Sequence, residues 1–197
     1  MISTLSKKHS FDLVFDSQKV FRLILEAMSN PTRVVRIREY ADALFGDQPS
    51  FLALAITLLD NEVSFNACGN QTLSAEIASQ TLTKGAGLES ADYVFVSNPY
   101  RIKEVIENVK HGTLYDPQKS ATVIIRNDDE PTCLMDLSGP GICGSVEVQV
   151  SKTVAEAIRI RNEQNYEYPQ GIDLIFVSSW GDLFAIPRLV SFTAKVS

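Results

Sequence analysis

The strongest constraint on the fold of this chain is a series of short, nearly continuous apolar runs separated by segments of helical period. Residues 93–97 read as a compact buried strand, and residues 101–110 follow with Ile102, Val105, Ile106 and Val109 on one helical stripe. Upstream, residues 50–59 are apolar nearly all round, the pattern of a helix buried on most sides, and residues 62–68, holding Val63 and Phe65, follow as a strand. Residues 72–82 read as a further helix, interrupted by Lys84-Gly85-Ala86-Gly87. Strands buried on both faces need helices above and below them. The alternation therefore predicts a mixed sheet covered by helices, a three-layer α/β arrangement.

The ends of the chain add detail. Phe21, Ile24, Leu25 and Met28 recur at helical spacing, with Asp16 or Ser17 as N-cap and Pro31 as terminator, because proline disfavours the helical conformation of the residue before it. Residues 33–38 alternate arginines with Val34, Val35 and Ile37 as a short, partly exposed strand. Residues 122–126 and 132–137 flank the acidic turn Asn127-Asp128-Asp129-Glu130-Pro131 and read as a hairpin. A strand at 146–150, a helix at 153–162 and a second hairpin, 172–177 with 183–186 around Trp180-Gly181-Asp182, complete the reading. With 197 residues and 45% apolar composition, one domain spanning 1–197 is expected, with residues 1–10 as a polar, flexible end that contains His9.

Charge and motif content exclude several functions. The net charge of -6 is concentrated in residues 41–150, which hold fifteen Asp/Glu against six Lys/Arg; nucleic acid selects the opposite balance. No run approaches the roughly 20 apolar residues of a membrane span, and the N-terminal segment lacks a signal-peptide pattern, so a cytoplasmic protein without membrane contact is expected. Cys68, Cys133 and Cys143 are odd in number and widely spaced, as free thiols are. Two histidines and no close cysteine pair make a metal site improbable, and no serine elbow or Ser/Cys/Thr–His context marks a nucleophile. His111, before Gly112, reads as a cation at a helix C-terminus.

The string Gly139-Pro140-Gly141-Ile142-Cys143-Gly144 satisfies G-x-G-x-x-G, but a strand rather than a helix follows it. Without a helix N-terminus to receive a pyrophosphate, it reads as a tight, close-packed turn. Two carboxylates stand out: Asp60, after the buried helix, and Asp173, inside an apolar strand. A charge there is costly unless paired, so Asp173 requires a backbone N–H or an arginine such as Arg188 or Arg22.

Several segments, taken in order, carry a family resemblance. They are Ala27-Met28-Ser29-Asn30-Pro31, Leu58-Leu59-Asp60, Ser138-Gly139-Pro140-Gly141-Ile142, Pro169-Gln170-Gly171-Ile172-Asp173 and Ile186-Pro187-Arg188. Together they resemble the H-type component of the bacterial carbon-phosphorus lyase core complex, the system that degrades phosphonates; the polar stretch Ser178-Ser179-Trp180-Gly181 is longer than in that family. The resemblance implies a fold like the large domain of pyridoxal-phosphate-dependent transferases without the cofactor site, hence no cofactor in this chain. It implies a homodimeric, accessory component that docks on the G, I and J subunits. That complex attaches methylphosphonate to the ribose C1′ of ATP and releases adenine, and no catalytic residue is assigned to this chain. Ligand or partner contacts are expected at Arg22, Ser29, Asn30, Pro31, Asp60, Gly139, Gly141, Asp173 and Arg188. An alternative has Arg22, Ser29, Asn30, Arg188 and the glycine turn binding phosphonate or a nucleotide triphosphate directly.

Overall fold

The computed structural model describes residues 10–31 and 33–194, and His9 lies outside them. The chain runs through α1 (Phe15–Ser29), β1 (Val35–Arg36), the one-turn α2 (Arg38–Ala41), α3 (Pro49–Leu58), β2 (Ser64–Asn66), α4 (Gln71–Thr81), β3 (Lys84–Gly85), β4 (Tyr93–Val96) and α5 (Ile102–Asn108). It continues with β5 (Thr122–Arg126), β6 (Cys133–Ser138), β7 (Ser145–Val150), α6 (Lys152–Glu163), β8 (Asp173–Val177), β9 (Asp182–Ile186) and β10 (Ser191–Ala194).

A seven-stranded sheet in the order β1-β9-β8-β5-β4-β2-β3 forms the centre. The strands from β3 across to β8 are parallel; β9 returns antiparallel to β8, and β1 pairs antiparallel with β9. The alternation of side chains explains why both faces are covered. Phe95, Ile124 and Ile175 face one side, packed with Val20, Ile24 and Ala27 of α1, Phe51 and Leu52 of α3, and Leu73 and Ile77 of α4. Val94, Val123, Leu174 and Phe176 face the other, packed with α5, α6 and the inner residues Met135, Leu137 and Val150 of a second, three-stranded antiparallel sheet in the order β10-β6-β7. The expected mixed sheet covered by helices is the architecture found. Among the described residues, no helix is long and apolar enough to cross a membrane.

Several local expectations are corrected. Helix α1 starts earlier than the Asp16 or Ser17 cap implied: Asp12 accepts the N–H groups of Val14 and Phe15 at 2.9 and 2.8 Å, and Asp16 accepts the Asp12 N–H at 3.0 Å. Its buried stripe is Val20, Ile24 and Ala27, while Phe21 and Leu25 are 44% and 50% exposed. Small Ala27 permits close approach of the helix to the sheet, which turns the larger side chains outward. The strand read at 33–38 shrinks to β1, because Arg38 opens α2.

No hairpin joins β5 to β6, since they lie in different sheets. The acidic segment instead holds neighbouring elements: Asn127 accepts the Ser151 hydroxyl at 2.6 Å and Asp129 the Thr153 hydroxyl at 2.6 Å, at the start of α6. The hairpin is β6–β7, across the glycine turn. Lys84-Gly85, read as an interruption, is edge strand β3, and β10 has no counterpart in the sequence pattern. His111 stands beyond the end of α5, stacked on Tyr166 with ring centroids 4.9 Å apart.

The cysteines give a simple check on this packing. Burial pushes the Cys68 thiol up from 9.0 to about 11, whereas Cys143 is exposed. Thiolate is the reactive form, so at pH 8 a disulfide reagent should modify Cys143 first and Cys68 far more slowly. Because the folded value of Cys68 is raised, its contribution to stability is complete below about pH 9 and is lost as pH rises through about 11. Site-resolved mass spectrometry after timed labelling at pH 8 and pH 10 reads the order; equal rates at pH 8 would contradict the burial of Cys68.

Candidate functional site

In open α/β sheets, ligands bind beyond the carboxyl ends of the parallel strands. Here that edge is formed by the ends of β5 and β8 and opens into a groove of about 340 Å³, within the range of small-molecule sites. Its apolar floor is Phe176, Phe184 and Ile186 of the large sheet, and its opposite wall is Leu137, Val148 and Val150 of the small one. Phe176 and Phe184 are directly opposed across β8 and β9 and stack with centroids 5.0 Å apart and planes 17° apart. Pro31 and Val34 close one end; residues 127–131, Ser178, Asp182 and the 65% exposed Trp180 form the rim.

The rim is acidic. Burial tends to raise the Asp128 carboxyl, but the Ser179 N–H at 2.6 Å and the Arg126 guanidinium at 2.5 Å outweigh it and hold Asp128 below the usual carboxylate range. With Asp129, Glu130 and Asp182 beside it, the groove disfavours anions and suits a planar or apolar group carrying hydrogen-bond donors. Among the described residues, no group of three or more His, Cys, Asp or Glu side chains is placed to hold a metal ion.

Most of the residues singled out in the sequence lie elsewhere. Asp173 and Arg188 form the expected buried pair: Arg188 donates from Nη2 to Oδ2 at 2.5 Å and from its backbone N–H to Oδ1 at 2.8 Å, and also bonds the Pro117 carbonyl. Gly141 packs on the end of α1 so closely that a Cβ would lie 2.6 Å from the Ser29 carbonyl oxygen, and a Cβ on Gly139 would lie 2.7 Å from the Leu189 carbonyl oxygen. The structure therefore brings Ser29, Pro31 and the glycine turn together.

Ser29 and Asn30 direct their polar groups to the carbonyls of Leu25 and Glu26. Arg22 is exposed on α1. Asp60 caps its own turn through the Glu62 N–H at 2.8 Å. Of the residues expected to make contacts, only Pro31 lines the groove. Asn127, Asp128, Phe176, Trp180 and Phe184 are site residues that the sequence pattern does not single out. Their one local signal is an acidic turn and a lone tryptophan in segments that read as hairpin loops.

The fold and groove define an α/β domain with a ligand-sized cleft at the carboxyl edge of a mixed sheet, whose signature residues mostly build the scaffold around it. The chain belongs to the family described as bacterial phosphonate metabolism protein (PhnH), whose model matches residues 9–193. It is also similar to a putative C-P lyase subunit protein, HtxG, of Stutzerimonas stutzeri, with 29% identity over 181 residues that cover 90% of this chain and 86% of that protein.

Proposed function

We propose that this chain is an accessory, non-catalytic component of a carbon-phosphorus lyase complex, supporting transfer of methylphosphonate to the ribose C1′ of ATP with release of adenine. The observation that carries the reading is the family match over residues 9–193, and the relative named as a C-P lyase subunit supports it. In this reading the chain is a cytoplasmic homodimer that joins the G, I and J subunits and carries no cofactor of its own.

The mixed sheet with one reversed strand is compatible with a large-domain fold of the pyridoxal-phosphate transferase type. Lys84 is exposed on the edge strand β3, and Lys103, Lys110 and Lys119 are engaged with Glu107, Asp92 and Asp116. A Schiff-base role has no support among these groups.

The exposed face of α1, where Val14, Phe21 and Leu25 lie one or two turns apart, is the surface assigned to a partner in the complex. Disrupting residues 27–31 would instead damage packing, because Ala27 and Pro31 are buried. The test is co-expression of tagged protein with the G, I and J subunits, followed by native mass and an assay of ribosyl-phosphonate formation. A stoichiometric complex whose activity depends on this chain is expected; a lone protein and indifferent activity would overturn the reading. The double variant Phe21→Asp, Leu25→Asp should stay folded at a cost of about 2 kcal/mol, from half-buried apolar area and helix propensity lost at each position. It should weaken co-purification at least tenfold, the scale of a lost apolar anchor.

A further inference from the structure

We infer that the start of α3 is a subsite for the oxygens of a phosphate or phosphonate group, adjoining the groove. The inference rests on the second functional reading, a chain that itself binds an anion, but moves the site away from Arg22, Ser29, Asn30 and Arg188. Helix α3 starts at the carboxyl ends of β5 and β8, where residues 47–51 meet Arg126, Val177, Ser178 and Ser179 around a cup of about 30 Å³.

Two backbone donors, a hydroxyl and a guanidinium border this cup, together with one unpartnered acceptor, the buried Gln48 Oε1. Gln48 supplies no side-chain cap, and the first backbone bond of the helix runs from the Leu52 N–H to the Gln48 carbonyl at 3.1 Å. The N–H groups of Ser50 and Phe51 therefore point out of the helix start, at the positive end of its dipole. Independently, Ser50 is only 5% exposed, lines the cup, and its hydroxyl has no hydrogen-bond partner. A buried hydroxyl without a partner is costly, and an acceptor in the cup removes that cost. Arg126 adds a guanidinium whose Nε is held by Asp128.

The ligand class follows from size and charge. The cup admits one or two oxygens, so a tetrahedral phospho-oxyanion enters oxygen-first with its phosphorus at the mouth. The cup lies on the α3 side of the large sheet, with Phe51 and Val177, and the groove on the opposite face, with Phe176; Ser178 at the carboxyl edge lines both, so a ligand seated in the cup need not enter the groove. Asp47 stands at the cup and opposes the anion, so Asp47→Asn should tighten binding.

The experiment is calorimetric titration of the full chain with inorganic phosphate, methylphosphonate, ATP and adenosine. Saturable binding of at least one phosphorus-containing probe is expected. Ser50→Ala and Arg126→Gln should each weaken it about tenfold, the loss expected of one hydrogen bond to a charged group. Ser50→Ala should not cost stability, since it removes a hydroxyl that has no partner, so a binding loss in a protein of unchanged melting temperature is specific. If adenosine matches ATP, or if binding is indifferent to both substitutions, the subsite is wrong. The same Ser50→Ala protein should still co-purify with the G, I and J subunits. Lost binding by the Ser50→Ala protein with intact assembly supports the cup; unchanged binding by that protein overturns the cup, and failure of the parent chain to join the complex overturns the accessory reading alone.

Discussion

Asp173→Ala should be among the most damaging single substitutions in this protein, lowering the melting temperature by roughly 10 °C. Asp173 is 7% exposed, at the first position of the central strand β8. Among the described residues, its carboxylate is the one that pairs with Arg188. Close by, Arg161 is 3% exposed and donates to the carbonyls of Ile186, Pro187 and Val190. Burial pulls Arg161 down to about 10, and Asp173 is the main charge acting against that. Removing the carboxylate therefore leaves two guanidinium groups without that compensating charge, and breaking a buried pair from one side costs about 3–5 kcal/mol. Asp173→Ala combined with Arg188→Met should recover a large part of the loss, because an apolar replacement of both partners is tolerated far better than one orphaned charge. Thermal unfolding of the parent, the single variants and the double variant closes the cycle; additive losses would show that the pair is not the cause.

That pair was legible in the sequence for a physical reason. A carboxylate inside an apolar strand has few ways to be satisfied, and Arg188 follows the strand that folds back onto it. The central strands were legible for the same kind of reason, since Val94 to Val96, Val123 to Ile125 and Leu174 to Val177 are buried on alternating faces whatever their neighbours do. The edges were not. Strands β1 and β3 hold two residues each, and such pieces are defined by what the adjacent strand offers rather than by their own pattern. Helix α1 carries two adjacent apolar lines, and periodicity alone does not choose the one with Ala27 over the one with Phe21 and Leu25. The groove was the least visible feature. Its floor comes from β8 and β9, its wall from the small sheet, and its rim from segments that read locally as turns. Only the packing of two sheets joins them.

The second large effect lies where the resemblance and the groove meet. Gly141 and Gly144 both have left-handed backbone, with φ of +83° and +74°, so alanine at either carries a strain of about 1–2 kcal/mol. Space separates them. Around Gly144 an added Cβ meets nothing within 4 Å, whereas at Gly141 it would lie 2.6 Å from the Ser29 carbonyl oxygen and 3.0 Å from Pro31 Cδ. Backbone at that distance does not yield as a side-chain tip would, so either the β6–β7 hairpin or the end of α1 must move. Gly141→Ala should then cost about 3 kcal/mol or more, against about 1–2 kcal/mol for Gly144→Ala, in urea unfolding. The displacement also reaches the groove. Pro31 closes one end of it, and Leu137 and Val148 of the hairpin form its wall. Gly141→Ala is therefore expected to loosen whatever the groove holds, while Gly144→Ala leaves it intact. Equal unfolding costs at the two glycines would mean that the turn is free of α1, and that Gly141 does not seat the hairpin on it.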